Sequence, residues 1–424
     1  MDRQSGNRHP ENGQYDAIVV GARCAGSPLA MLLARRGHRV LAVDRATFPS
    51  DTISTHVVHP AGVAALSRWG LLAPLAATGC PPIHTYAYDF GPIRLAGGPG
   101  TSDSPVAYCP RRTVLDKLLV DAASAAGATI CEGFTVDELV VADGTVTGIR
   151  GHTPGGAPLQ LRGRVVVGAD GRRSIVARTT GAPAYRERPP LQTAYYAYWS
   201  GLPMAGRFET YVRDGRGFAA VPTHDDLTLV IAGWPQVDRG PGRTDIEATY
   251  LAGLSSVPEF ATRLREARRE SRLAGAAVEN YFRKPYGPGW ALVGDAGYNK
   301  DPITAQGITD AFHDAELCAT ALDQFLGAGR PFDDAMADYQ RARDARVLPM
   351  YEYTCGLATL EPPPPPVREL LMAIQGDQAA MDDFARMNAG TISPAEFFSP
   401  QRQAAVTGPA QAADRSRPPA VALS

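Results

Sequence analysis

Tyr15-Asp16-Ala17-Ile18-Val19-Val20-Gly21-Ala22-Arg23-Cys24-Ala25-Gly26 is the first patterned stretch of this 424-residue chain. Tyr15–Val20 is apolar and predicts a strand, Gly21 to Gly26 a tight turn, and Ser27–Arg36 an apolar helix ended by Gly37. His38–Val43 predicts a second strand, closed by Asp44, so the segment forms one β-α-β unit. In such a unit the helix N-terminus, with free N–H groups and partial positive charge, faces the end of the first strand, where a pyrophosphate can bind. Asp44 stands where a carboxylate accepts hydrogen bonds from an adenosine ribose. The middle glycine of G-x-G-x-x-G is replaced by Arg23, which either neutralises the phosphates or points to solvent.

Two further strand-to-turn motifs lie far downstream. Val165-Val166-Val167-Gly168-Ala169-Asp170-Gly171 follows a predicted strand over Arg164–Val167. Ala291-Leu292-Val293-Gly294-Asp295-Ala296-Gly297 follows another over Trp290–Val293, and leads through Pro302-Ile303-Thr304-Ala305-Gln306-Gly307-Ile308 into a helix over Gly307–Phe325. A strand ending at Gly-Asp lets the carboxylate accept bonds from a polyol chain. A helix beginning at Gly307 aims its N-terminal dipole at a site that holds negative charge, such as a reduced flavin.

Between these motifs the pattern alternates. Residues 1–14 read as a disordered tail, 15–79 as a first α/β segment, and 80–107 as an irregular aromatic excursion into another domain. Residues 108–188 return to α/β, with a helix over Pro110–Ala126 and a hairpin of Val136–Val141 and Val146–Arg150 about Asp143-Gly144. Residues 189–282 alternate in a strand period at Thr193–Trp199, Arg207–Val212, Phe218–Val221 and Leu227–Ala232, with a helix expected around Glu259–Glu270. Residues 283–346 complete the α/β part. From 347 to 402 a C-terminal helical segment is expected, with Pro362–Pro366 as a polyproline spacer, and 403–424 as a second disordered tail. The C-terminal segment either covers a pocket mouth or makes surface or dimer contacts.

The order of these motifs resembles the class A flavoprotein monooxygenases of the para-hydroxybenzoate-hydroxylase-like superfamily, whose relatives include flavin halogenases and geranylgeranyl reductases. Arg112-Thr113-Val114-Leu115-Asp116-Lys117-Leu118-Leu119 is similar to that family's R-x-x-L-D-x-x-L helix. The resemblance implies an α/β fold: a Rossmann-like FAD-binding domain of the GR2 type, an interleaved antiparallel-sheet substrate domain and a C-terminal helical extension. It implies FAD held by Gly21, Ala22, Arg23, Cys24, Ala25, Gly26, Asp44, Arg45, Thr55, Arg112, Val136, Asp170, Gly171, Gly294, Asp295, Pro302, Gly307 and Ile308. It further implies NADPH or NADH as a transient donor, with molecular oxygen as co-substrate and a flavin C4a-hydroperoxide as oxygen donor. The chain departs from the family at Gly294-Asp295-Ala296-Gly297-Tyr298, where many hydroxylases have histidine in the last position.

The substrate-domain strand Gly217-Phe218-Ala219-Ala220-Val221-Pro222 has neither tryptophan of the halogenase W-x-W-x-I-P motif, nor the aromatics of the prenyl reductases. The three lysines, Lys117, Lys284 and Lys300, are not where halogenases carry theirs. Hydroxylation of an aromatic or polyketide-like small molecule is the expected activity, with double-bond reduction as the alternative. His56 is the candidate base or flavin donor, against a local role in its loop. Tyr196, Tyr198, Tyr211, Ala220 and Pro302 are candidates for the substrate pocket.

Lys+Arg 42 against Asp+Glu 44 gives a net charge of −2, so no global field favours nucleic acid or an anionic membrane. The six cysteines form no C-x-x-C and predict no metal site; no apolar run approaches a membrane span, and Met1–Gln14 has no signal-peptide core. A cytoplasmic monomer or homodimer is expected.

Overall fold

The computed structural model describes residues 13–236 and 245–402. The expected tails over 1–12 and 403–424 lie outside the described residues. Gln14, assigned to the first tail, instead begins the strand Gln14–Val20.

That strand is the middle of a parallel sheet, between Leu159–Gly168 on one side and Val40–Asp44 on the other. Trp290–Leu292 extends it beyond Leu159–Gly168, and Thr129–Glu132 beyond Val40–Asp44, both parallel. These strands read as unbroken apolar runs because helices cover one face and a hairpin layer the other. Gly26–Arg35, Arg112–Ala125 and Gly307–Leu326 bury their apolar stripes (Leu29, Leu33, Leu115, Leu119, Phe312) in one core with Val19, Val167 and Val293.

Register matters more than membership. Val20 pairs with Gly168 and Val43, and Gly168 pairs with Leu292. The strands therefore finish side by side, and the turns at Gly21, Asp44, Ala169 and Val293 leave the same carboxyl edge. In an open α/β sheet this edge is where ligands bind.

Strand Leu159–Gly168 is more than twice as long as the expected Arg164–Val167. Its first half pairs antiparallel with Thr145–His152 at the solvent side, so it alternates in burial and carries no apolar run to betray it. Asp143 and Gly144, at φ 48° and 75°, make the hairpin turn between Thr135–Ala142 and Thr145–His152.

The second sheet is mainly antiparallel. Gln192–Ser200, Thr228–Pro235, Arg216–Pro222 and Arg207–Arg213 follow one another, and Thr85–Asp89 with Arg94–Gly97 extend the far edge. Its outer face packs on two helices, Ile246–Ser255 and Pro258–Leu264, through Trp199, Phe218, Val230, Tyr250 and Phe260. The helix expected around Glu259–Glu270 thus ends at Leu264. Arg268–Arg269 pairs instead with Trp199–Ser200, a long-range contact that no local pattern signals.

Two expectations for the C-terminal part need correcting. Helix Phe332–Leu357 runs unbroken through the boundary placed at Arg346, despite Pro349 within it. Proline there removes one N–H, and the burial of Val347, Tyr351 and Cys355 against Phe282 and Tyr298 outweighs the loss. Pro365 and Pro366 are not spacer but the first residues of helix Pro365–Ile374, where a missing N–H costs nothing. Helix Gln378–Asn388 packs on the edge strand Arg94–Gly97. A Cβ on Gly97 would lie 2.4 Å from Met381 O.

Candidate functional site

One cavity of about 910 Å³ runs along the carboxyl edge of the parallel sheet and reaches under the second sheet. Its wall includes Gly21, Arg23, Cys24, Ala25, Asp44, Arg45, Thr55, Arg112, Val136, Asp170, Gly171, Gly294, Asp295, Pro302, Gly307 and Ile308. Residues separated by nearly three hundred positions thus share one groove, because their strands end in register.

Ala22 and Gly26 are not in that wall; they build the turn. Gly21 has φ +100° and passes so close to Ala169 that a Cβ would sit 2.4 Å from its carbonyl oxygen. At Gly26 a Cβ would be 1.8 Å from Gly21 O. Only glycine closes this loop. Asp44 holds it from the other side: Ala22 N donates to Oδ2 and Ala46 N to Oδ1, each at 2.8 Å.

Arg23 lines the groove and is held by its neighbours. Nη1 donates to Asp116 Oδ2 at 2.6 Å, Nη2 to Ser50 Oγ at 2.7 Å, and the guanidinium lies over Phe48. Asp116 is completely buried and also takes Arg112 Nε and Nη2, both at 3.0 Å, and the Cys24 thiol. Burial pushes that thiol well above its ordinary range. The R-x-x-L-D helix therefore supplies an anionic hub tying two arginines to the glycine turn. The sequence pattern named the motif, and the carboxylate's partners are a tertiary matter.

The Asp295 side chain is exposed to the cavity, among residues that are themselves buried. Burial raises its pKa, and Arg172, Arg112 and Lys300 pull it back. Its carboxylate stands ready to accept hydroxyl hydrogen bonds. Asp170 takes Ile175 N on Oδ2 at 2.6 Å and leaves Oδ1 buried without a partner among the described residues. Arg45, Arg172, Arg173 and Arg178 stand exposed along the same wall, with no ion pair among the described residues. Four cations on one groove favour a ligand with phosphate groups. The run Arg172-Arg173 directly follows Gly171, so the sequence held that signal.

His56 is not placed as a base at the cavity. It is fully buried and outside the wall; Nδ1 donates to Ser54 O at 2.7 Å, and Nε2 accepts from Tyr198 Oη at 2.8 Å. Burial, with Arg112 second, pulls its pKa down to about 4, so the ring is neutral at pH 7. His59 is held likewise, by Tyr86 Oη at 2.6 Å and Thr304 O at 3.1 Å. Replacing Tyr198 by phenylalanine leaves the His56 acceptor unpaired. The expected cost is about 1–3 kcal/mol in urea unfolding, with flavin content unchanged, because neither residue faces the groove.

Among the substrate-pocket candidates, Tyr196 and Pro302 line the cavity; Tyr198, Tyr211 and Ala220 do not. Side-chain parity explains two of these. Ala220 faces the helix-covered side with Phe218, and Tyr211 stacks on Phe218 at 4.5 Å. Tyr198 shares the side of Tyr196 but lies beneath the loop carrying His56. The wall adds Ala194, Ile231, Gly275 and Ala276 from the second sheet, Val278 just after it, and Lys300 and Asp301 before Pro302. No residue of 350–402 lines it; that segment packs on the second sheet's edge.

Sequence comparison gives this geometry a family. Residues 14–352 match the FAD binding domain family. The chain belongs to it. This flavoprotein is thus an FAD-dependent oxidoreductase, and the groove gathers the glycine turn and the three carboxylates along one sheet edge. It is 27% identical over 362 residues to 6-methylpretetramide 4-monooxygenase of Streptomyces rimosus, covering 80% of this chain and 83% of that one. It is also 27% identical over 321 residues to digeranylgeranylglycerophospholipid reductase 2 of Methanothermobacter thermautotrophicus, covering 75% and 80%. In fold it is similar to the myxobacterial chondrochloren halogenase, with TM-score 0.74 and 22% identity over 89% of this chain and 99% of that one. No helix among the described residues is long and apolar enough to cross a membrane.

Proposed function

We propose that this flavoprotein is a monooxygenase that hydroxylates an aromatic or polyketide-like small molecule, using NADPH or NADH and molecular oxygen. The observation that carries the reading is the continuity of the groove from Asp44 and Gly21, past Asp295, to an apolar end at Ala194, Tyr196 and Ile231. A dinucleotide needs the first part, and the second is left for a substrate.

Bound FAD would supply the redox chemistry, accepting hydride from the nicotinamide and activating dioxygen. The chain's own part is orientation and exclusion of water. Asp44 takes the ribose hydroxyls, the start of helix Gly26–Arg35 with the exposed arginines takes the pyrophosphate, and Asp295 takes the polyol. The N-terminus of helix Gly307–Leu326 faces the groove at Gly307 and Ile308, so its dipole stabilises negative charge on the ring system. Tyr196, Ala194 and Ile231 keep the far end dry. The similarity to 6-methylpretetramide 4-monooxygenase favours oxygen transfer to a small molecule.

Reduction of a substrate double bond is the second reading, favoured by the equal identity to the digeranylgeranylglycerophospholipid reductase. Isotopically labelled dioxygen separates the two. One labelled atom is expected in the product and one in water, with one NAD(P)H oxidised per turnover. Stoichiometric reduction of the substrate under anaerobic conditions sinks the monooxygenase reading.

A further inference from the structure

Two charged groups in the wall of the groove have no part so far in holding the flavin. Lys300 and Asp310 line it beside Pro302 and the start of helix Gly307–Leu326. Of the chain's three lysines Lys300 is the buried one, its side chain 4% exposed against 17% for Asp310. Its ammonium pairs with Asp310 Oδ2, donates to Tyr298 Oη at 2.7 Å and lies over that ring. The desolvation of a buried pair offsets most of its attraction, so stability gives weak reason for placing one here.

The electrostatics of the groove give a stronger one. Asp310 lies in the first turn of the helix whose N-terminus faces the groove at Gly307 and Ile308. An acid there suits the helix, but its charge opposes the partial positive charge that the dipole offers an anionic ring. Lys300 cancels that charge. The fields of both groups reach the groove: at the Asp295 carboxyl, Lys300 pulls the pKa down and Asp310 pushes it up. A Coulomb field needs no contact, so the two side chains act on a bound ring without being reached by it.

We infer that Lys300 raises the reduction potential of the bound flavin by cancelling the charge of Asp310. Reduction adds two electrons from the donor and one proton from solvent to the ring, and so leaves one net negative charge on it. With Lys300 neutralised, that charge meets the Asp310 carboxylate unopposed. With Asp310 neutralised, it meets the helix dipole and an ammonium together. This inference rests on the ring lying at the start of helix Gly307–Leu326, as proposed above, and not on what the reduced flavin then does.

The test is the midpoint potential of the FAD-loaded full chain at pH 8, reduced stepwise without oxygen against an indicator dye. Lys300→Gln is expected to disfavour reduction about tenfold, a fall of about 30 mV for the two-electron couple. Asp310→Asn should move the potential upward by a similar amount. The double variant and Lys300→Arg, which both keep the charge balance, should stay near wild type. General damage to the pocket shifts both single variants the same way, and only a charge effect shifts them in opposite directions. Single variants equal to wild type, or shifted together, overturn the inference. Should Lys300→Gln retain no FAD, the double variant decides: it must lie below Asp310→Asn, and equality of those two overturns the inference. Opposite shifts in a protein that never places labelled dioxygen in a product leave the pair's role standing and sink the monooxygenase reading. Labelled product with no shift in potential does the reverse.

Discussion

Purified Gly26→Val is expected to be colourless. The first carbon of the new side chain would sit 1.8 Å from Gly21 O, inside any permitted contact, and the atom it meets is backbone. Relief requires the turn to open, and Gly21 cannot retreat because Ala169 O stands 2.4 Å from its own virtual Cβ. Overpacking of this kind costs about 1–3 kcal/mol, equivalent to roughly five- to 150-fold in affinity when expressed only in the flavin-bound state. Absorbance of the purified protein and titration of the apoprotein with FAD measure it directly. The turn lies at the surface of an intact sheet, so circular dichroism should remain that of a folded chain. Normal flavin content in a folded Gly26→Val would refute the role given to this turn.

Asp116→Ala is expected to be the most destabilising single change near the groove. The carboxylate is completely buried and accepts from Arg23, from both Arg112 donors and from Cys24. Removing it strands a guanidinium, Arg112, that is itself only 7% exposed. Breaking one partner out of a buried ion pair costs about 3–5 kcal/mol, since the remaining charge is largely withdrawn from water and keeps only the unbonded Asp295 as counter-charge. Urea denaturation should show the midpoint falling by a corresponding amount at an unchanged slope. Asp116→Asn keeps the shape and one acceptor, and should lose less. An unchanged midpoint for the alanine variant would show that the hub contributes nothing. The Arg23 position bears on this result. The side chain that replaces the motif's middle glycine is bonded to Asp116 and Ser50, so it ties the loop to the hub.

Much of the architecture was legible because it rests on local rules. The first strand, turn and helix follow from an apolar run, a glycine pair and an amphipathic stripe within thirty residues. The strands of 193–232 declare themselves by alternation, and the hairpin by Asp143-Gly144. Where the reading strayed, a distant contact had overruled a local cue. Arg268–Arg269 is a strand only because Trp199–Ser200 offers it an edge. Pro349 sits inside a helix only because Tyr351 and Val347 are buried against Phe282 and Tyr298, which lie on a strand pair well upstream.

The groove divides along the same line. Gly21, Asp44, Asp170 and Asp295 are each the last punctuation after an apolar strand, and a sequence records punctuation faithfully. The chain alone therefore determined which turns could hold an extended dinucleotide, and in what order they come. What lies between them was decided in three dimensions. His56 was chosen for its chemistry, but a buried tyrosine and a carbonyl already occupy both its nitrogens. Tyr211 and Ala220 were chosen for their strands, but parity sends them to the helix-covered face. Lys300 carries no local cue to its partner, since Asp310 comes beside it only once the turn Pro302–Thr304 folds the segment back onto its helix. Backbone turns are set by neighbours in sequence. The free valence of a side chain is set by neighbours in space, and for that the fold is required.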